Sequence, residues 1–287
     1  MQNKNREKIR SRLNELLNQK KVLIAAHRGS SGGNIMENTP RSTVVALRQK
    51  ADIIEMDVAR DLDGNYFIVH DGMEFRLFAD GKNITQMTGS ETGKLVFYNS
   101  NRVECGKPIS LDDMLDDLKQ RGCLINVDRC WRYWDHVLPV FARHDMADQL
   151  LFKSSVERKY LDWFKAYGGD MMYMPIIYSM EEWELVKSYD INLVGAEIIF
   201  DTEDHPLANP EFLAQMKADG QFCWGNAITL GGQFNLSAWH DDDNALLQNP
   251  DDNWGWLVKQ GFNVIQTDWP LLLHEYLSNG PVPERNA

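Results

Sequence analysis

The chain has 287 residues, 43% hydrophobic and 25% charged, an ordinary globular mixture that excludes a disordered tail. Its formal net charge of −12 argues against a nucleic-acid partner, because such binders gain affinity from clustered Lys and Arg. No apolar run is long enough for a transmembrane segment or a signal-peptide core, and Cys105, Cys123, Cys130 and Cys223 make no C-x-x-C pair, so the sequence predicts reduced thiols in a cytoplasmic protein.

In chain order, residues 5–20 predict an amphipathic helix with Ile9, Leu13, Leu16 and Leu17 on one face, suited to plugging or capping another element. Strand signals follow at 22–26, 52–59, 66–69, 123–127, 150–153, 171–177, 192–200, 221–226 and 263–267. Helix signals separate most of them, at 41–50, 111–120, 131–143, 156–166, 181–188, 210–218, 253–260 and 270–278. Alternating β and α elements with short apolar strands predict a parallel sheet covered by helices, and about eight repeats favour an α/β (β/α)8 TIM barrel. An open doubly wound sheet is the alternative, but the glycine-rich turn after the first strand lacks the G-x-G-x-x-G order. The whole chain, 1–287, is expected to form one barrel domain. Residues 71–108, after the strand ending at His70, break the rhythm and are expected to be a loop-like insertion or lid. The acidic run Asp241–Asp243 reads as a solvated loop or helix start.

The run DIIEMDVARD puts Glu55 and Asp57 two residues apart on a strand, so both side chains leave one face while Ile54, Met56 and Val58 leave the other. Two such carboxylates at ~6–7 Å repel by about 2–3 kcal/mol at an effective dielectric near 20, which calls for a positive charge between them. A hard divalent cation, Mg2+ or Ca2+, suits oxygen ligands with no Cys or His beside them; a buried ion pair with an arginine is the alternative. Other strands end in polar groups too: His27-Arg28, His70-Asp71 and Asp128-Arg129. The C-terminal strand ends of a barrel surround one pocket, so His27, Arg28, Glu55, Asp57, His70 and Asp128 are expected to converge there. A cation and an arginine for a phosphate, with two imidazoles to move protons, point to phosphodiester cleavage.

The motifs H-R-G at 27–29, E-N-T at 37–39, E-x-D at 55–57, H-D at 70–71, a P-x-x-L-x-x-x-L helix start at 108–115 and T-D-x-P at 267–270 occur in this order. In this the chain resembles the glycerophosphodiester phosphodiesterases, from about Val22 to Leu277. The resemblance implies a barrel enzyme that uses a divalent metal ion to hydrolyse a small-molecule glycerophosphodiester to glycerol 3-phosphate and an alcohol. By position, His27 and His70 match the acid and base, Arg28 the phosphate-binding arginine, and Glu55, Asp57 and Asp128 the metal ligands. The substrate's own neighbouring hydroxyl is then the first nucleophile, giving a cyclic phosphate that water opens.

Three departures stand out. Asp128 is a methylene shorter than the usual glutamate; Cys130 stands where lysine is frequent; and the loop between His27 and Glu37 is one residue longer, with Gly32 and Gly33 letting it bend. Lys153, at another strand end, is expected either to replace the missing cation or to lie in solvent. Glu197 and Trp224 are expected to shape the leaving-group side, and Glu37 and Asn38 to hold the first loop through its backbone. Two other functions fit the same residues: a lyase of sphingomyelinase D type that stops at the cyclic phosphate, and a catalytically silent ligand-binding barrel. The alcohol, the choice of metal, the acid-base order of the histidines and the oligomeric state are left open by the sequence.

Overall fold

The computed structural model, which describes residues 2–279, closes the strands into a barrel. In chain order they are β1 Leu23–Ala26, β2 Ile53–Arg60, β3 Tyr66–Ile68, β4 Leu124–Asp128, β5 Leu150–Phe152, β6 Met172–Tyr173, β7 Ile176–Ile177, β8 Gly195–Ile198, β9 Phe222–Asn226 and β10 Val264–Thr267. Neighbours run β6-β5-β4-β2-β1-β10-β9-β8-β7, all parallel. Strands β6 and β7 are two halves of one barrel position, divided at Pro175, which has no N–H to give to the ladder. The run from 172 to 177 bonds β5 on one side, through Met174 N to Phe152 O (2.8 Å) and Ile176 N to Ser154 O (2.9 Å). On the other it accepts from Val194 N at Tyr173 O (2.9 Å) and from Ile199 N at Ile177 O (3.0 Å), so eight positions close the ring.

Alternation along the strands sorts the side chains. Ile24, Met56, Val58, Ile125 and Val127 join the large core between sheet and helices. Leu23, Ala25, Ile53, Leu124, Leu151, Phe222, Trp224 and Val264 fill the barrel interior. The helix Gln2–Gln19 seals its lower end with Ile9 and Leu13, both essentially buried. Ion pairs pin that helix: Arg6 to Asp190 (2.9 Å), Arg12 to Asp148 (2.7 Å) and Lys20 to Asp52. The plugging role read from its apolar face is therefore what the helix performs.

Two expectations need correction. Tyr66–Ile68 is a strand but takes no barrel position: it pairs antiparallel with the end of β2, in the register Val58–Ile68 and Arg60–Tyr66. The connection Asp61–Asn65 is too short for the crossover that parallel pairing requires. Asp61 instead closes a tight turn by accepting from the backbone N–H groups of Asp63 (3.0 Å) and Asn65 (2.8 Å). The insertion that follows is not loop-like either. It holds the helix Glu74–Phe78, a 3-10 turn Ile84–Gln86 and a helical turn Gly89–Thr92 around a core of its own, with Leu77, Phe78, Ile84, Met87, Leu95 and Phe97 buried against Ala59 and Val69. Glu74 staples it from inside, accepting from the Gly72 (2.8 Å) and Ile84 (2.7 Å) amides.

The buried plug gives a direct test of the closed lower end. Leu13→Ala is expected to cost about 3 kcal/mol in denaturant unfolding, as for other wholly buried leucines; a loss under about 0.5 kcal/mol, the surface-residue range, would contradict the plug.

Candidate active site

Above the apolar layer, the same interior-facing alternation changes chemistry. On β2 Ile53 is followed by Glu55 and Asp57, on β4 Leu124 by Asn126 and Asp128, on β5 Leu151 by Lys153, and on β9 Trp224 by Asn226. Strand register sets Glu55 beside Asn126 and Asp57 beside Asp128. The carboxylates of Glu55, Asp57 and Asp128 have oxygens within 4.8 Å of one another. Burial pushes the Glu55 carboxyl up to about 8, with the Asp57 charge adding to it.

Cations border this cluster without filling it. Lys153 is buried, not solvated, and its Nζ lies 3.0 Å from Asp128 and 2.9 Å from Glu197. Burial alone would push the Asp128 carboxyl up, but the Lys153 ammonium, together with the amide and charge of Arg129, holds the group below its usual range. Arg28 donates its backbone N–H to Glu55 (2.7 Å) and its Nη1 to Glu37 (3.1 Å), while its Nε pairs with Asp57 at 3.2 Å. The backbone makes this possible: Arg28 has φ 56°, and the next residue, Gly29, has φ 73° and lies so close to Ser42 that a Cβ would fall 2.7 Å from its hydroxyl.

Asn38 holds the first loop through its backbone as expected, its amide donating to the Arg28 carbonyl (3.0 Å), whereas Glu37 grips side chains instead. Glu37 accepts from Arg28 and also from Arg76 (2.6 Å), and Asn38 donates to Asp57 Oδ2 (2.9 Å) while accepting from the Asp57 amide (3.1 Å). The longer loop is taken up by a tight turn in which Gly32 and Ile35 exchange both backbone bonds at 2.9 Å, with Gly33 at φ 57°.

Both imidazoles feel the charge of Arg28, which lowers the affinity of each for a proton. His27 Nδ1 lies 2.8 Å from a carboxylate oxygen of Asp268, and His70 Nδ1 lies 2.9 Å from the carbonyl of Asp71. Neither oxygen can donate, so Nδ1 carries the hydrogen in both rings and Nε2 is left for chemistry. His27 is raised above its usual range because the Asp268 hydrogen bond, with the Glu55 and Asp268 charges, overcomes a larger opposing effect of burial. His70 is lowered, burial outweighing Asp57. His70 reaches this place from the β3 hairpin rather than from a barrel strand, carried by the bond from Val69 N to Asp57 O (3.0 Å).

Asp268 is itself held. Asp242, essentially buried, accepts from the Asp268 amide (2.8 Å), Thr267 Oγ1 (2.8 Å) and Trp254 Nε1 (2.9 Å). Asp241 and Asp243 of the acidic run behave as expected, Asp241 capping the helix Asp242–Leu247 by accepting from Asn244 N (2.8 Å) and Asp243 lying exposed in its first turn; the buried Asp242 does not. Arg129, which the sequence offers only as part of a polar strand end, adopts φ 64° and pairs with Asp71 at 2.6 Å. That left-handed turn directs Cys130 out into the core between sheet and helices, where burial pushes its thiol up to about 12. Trp224 is wholly buried beneath Lys153, whose Nζ sits 5.8 Å from its ring centroid; it floors the pocket. Glu197 ties Lys153 to Asn226, from which it accepts at 2.7 Å.

The donor set fits a hard divalent ion: three carboxylates, no sulfur, and six acids (Glu37, Glu55, Asp57, Asp71, Asp128, Glu197) against the four cations Arg28, Arg76, Arg129 and Lys153. Asn126 Oδ1, interior and next to Glu55 in register, also has no donor.

Comparison with known proteins finds two family models, one on each part of the barrel, and solved structures of the same fold. Residues 27–129 match the glycerophosphoryl diester phosphodiesterase family, and residues 173–277 match a domain of unknown function. The first match bears out the resemblance over His27 to Arg129, which holds every quoted motif except T-D-x-P at 267–270; that one falls in the second matched segment. Among solved structures, a glycerophosphoryl diester phosphodiesterase from Parabacteroides distasonis is similar at TM-score 0.69 and 12% identity, over 95% of this chain and 93% of that one. A glycerophosphodiester phosphodiesterase from Agrobacterium tumefaciens gives 0.63 and 21%, over 88% and 98%. An Oleispira antarctica phosphodiesterase in complex with the product sn-glycerol-3-phosphate gives 0.65 and 20%, over 90% and 97%. No curated protein matches.

Binding to the folded site alone makes an ion stabilising, by about 2.7 kcal/mol at a hundredfold excess over Kd. Mg2+ or Ca2+ is therefore expected to raise the melting temperature of the wild type in a fluorimetric scan, and not that of Glu55→Gln/Asp57→Asn. Equal shifts for both proteins would contradict the site.

Proposed function

We propose that the chain is a divalent-metal-dependent phosphodiesterase hydrolysing glycerophosphodiesters to glycerol 3-phosphate and an alcohol, with both matched segments acting as one catalytic domain. The observation that carries this reading is the pairing of two imidazoles, each with Nδ1 tied to an acceptor, around Arg28 and three convergent carboxylates. The family match supplies the substrate class, in keeping with the product bound by the Oleispira phosphodiesterase.

In this proposal Glu55, Asp57 and Asp128 hold the metal ion, Mg2+ or Ca2+, which when bound neutralises a phosphate oxygen. Arg28 pairs with the phosphate, Lys153 supplies the cation that Cys130 does not, and Glu197 holds Lys153 in place over the Trp224 floor. His70, neutral because burial disfavours its charge, accepts at Nε2 the proton of the glycerol 2-hydroxyl as that oxygen bonds to phosphorus. His27, kept as imidazolium by Asp268, gives its Nε2 proton to the departing alcohol oxygen as the old P–O bond breaks. Water then opens the cyclic ester: His27 takes a proton from the water, His70 returns one to the 2-oxygen, and both rings end as they began. Four free cysteines, in keeping with reducing surroundings, support a cytoplasmic setting. Among the described residues no helix is long and apolar enough to cross a membrane.

With Mg2+ or Ca2+ and glycerophosphocholine or glycerophosphoethanolamine, the wild type is expected to release glycerol 3-phosphate. His27→Ala and His70→Ala should each lose about 10²–10⁴-fold in rate. Equal background rates for all three would support a silent barrel, and a ³¹P NMR spectrum ending in a stable cyclic phosphate would support a lyase.

The pH profile tests the division of labour. Activity needs His70 unprotonated and His27 protonated, so the lowered and raised values give a plateau between an acid limb from His70 and an alkaline limb from His27. Asp268→Asn removes the charge that favours imidazolium and is expected to move the alkaline limb to lower pH while leaving the acid limb in place. An unmoved alkaline limb would show that His27 is not the acid.

A further inference from the structure

One buried carboxylate stands outside the reaction pocket with no cation to balance it. Asp242 is essentially buried, and among the described residues no lysine, arginine or histidine pairs with it. Burial pushes its carboxyl up to about 7, against the opposing pull of its hydrogen bonds. Charge kept in such a place needs a compensating set of donors. Those of Asp242 are all neutral: Oδ1 accepts from Thr267 Oγ1 (2.8 Å) and Trp254 Nε1 (2.9 Å), and Oδ2 from the Asp268 amide (2.8 Å).

This donor set explains why the residue is an aspartate. An asparagine has the same shape but a single oxygen, and its NH2 would meet the Asp268 N–H donor against donor. The Thr267 hydroxyl already accepts from Trp269 N (2.9 Å), which leaves its hydrogen for Asp242. Asp242 is anchored in turn. Its amide donates to Ala227 O (2.6 Å), and the Ala227 amide donates to Gln266 O (2.8 Å), one residue before Thr267 on β10.

What hangs on this end of β10 is His27. Its amide donates to Thr267 O (3.2 Å), and its Nδ1 lies 2.8 Å from Asp268 Oδ1. The Asp268 side chain is 44% exposed, so packing alone does not fix its direction. The backbone beneath it does: Asp242 holds the Asp268 amide, and the hydroxyl that Asp242 orients holds the Trp269 amide. The charged groups that act on His27 are Asp268, Glu55 and Arg28, and the charge that acts on Asp242 is Asp268. Asp242 therefore reaches the imidazole through Asp268, by geometry.

We propose that Asp242 is a positioning residue for proton donation to the departing alcohol: through the Asp268 amide and the Thr267 hydroxyl it keeps the Asp268 carboxylate on His27 Nδ1, and so aims Nε2. This rests on the phosphodiesterase reading of the site. Three variants test it. Asp242→Asn preserves volume but removes an acceptor, Thr267→Val removes the hydroxyl without changing any charge, and Thr267→Ser puts the hydroxyl back. With glycerophosphocholine, Asp242→Asn and Thr267→Val are expected to lose about 10- to 100-fold in kcat with KM within about twofold. The alkaline limb of the pH profile should move to lower pH in both, because a slackened Asp268 bond favours imidazolium less, while the acid limb of His70 stays. Thr267→Ser should recover both rate and limb. Should Asp242→Asn fail to fold, Thr267→Val carries the same comparison.

A purely structural role gives a different result, a lower melting temperature with kcat and both limbs in place. That outcome, or a Thr267→Ser variant no better than Thr267→Val, would overturn the proposal and leave the phosphodiesterase reading standing. A second measurement needs no turnover. The Nδ1–H proton of His27, assigned by its absence in His27→Gln, should give a downfield NMR line in the wild type that broadens away in Asp242→Asn and Thr267→Val. If the wild type hydrolyses no glycerophosphodiester, the phosphodiesterase reading falls and this line decides alone: its loss in the variants upholds the link from Asp242 to His27, and its persistence overturns it.

Discussion

Burying several carboxylates in one cavity is the constraint on which the rest of this molecule depends. Charge removed from water is costly unless it is paired, and a barrel interior offers no solvent to relieve it. Glu55, Asp57 and Asp128 occupy one layer, and Arg28 and Lys153 reach them from opposite sides. Much of the surrounding polar architecture serves that balance: Asn38 fixes Asp57, Glu37 fixes Arg28, and Glu197 fixes Lys153. What the protein leaves uncompensated is a concentration of negative charge at the place where, in the proposed reaction, an anionic ester would bind, and a divalent ion would offset it there.

The two halves of the barrel divide the work. The segment matching the phosphodiesterase family holds both imidazoles, Arg28 and all three convergent carboxylates. The segment matching a domain of unknown function supplies the supports: Glu197 and Asn226 beneath Lys153, and the line from Asp242 through Asp268 to His27. Closure of the sheet brings them together, since β1 lies between β2 and β10.

Much of this was legible in the sequence because it follows from period two. Glu55 and Asp57 had to share a face, apolar neighbours told which face was which, and eight short strands alternating with helices favour a closed sheet. Trp224 obeyed the same alternation one layer lower than its expected role, where the interior is apolar. Tyr66–Ile68 read as another strand because period two says nothing about direction; the short Asp61–Asn65 turn was the available signal against a parallel partner. The insertion looked like loop because its helical pieces are each a turn or so long, and its core draws on Ala59 and Val69 outside it. Asp242 and Asp268 stand in the acidic run and in T-D-x-P, but their roles were hidden for another reason. Their importance lies in hydrogen bonds between segments, 2.8 Å from a histidine 241 residues away, and no local pattern carries that.

The most direct test of the charge balance is a crystal structure grown with Ca2+ or with anomalously scattering Mn2+. The account predicts one ion bound by oxygens of Glu55, Asp57 and Asp128, with Lys153 retained against Asp128 and Glu197. Carboxylates turned apart, no anomalous peak between them, and an arginine or lysine nitrogen filling the space would contradict it, and would make the cluster an ion-pair network complete in itself.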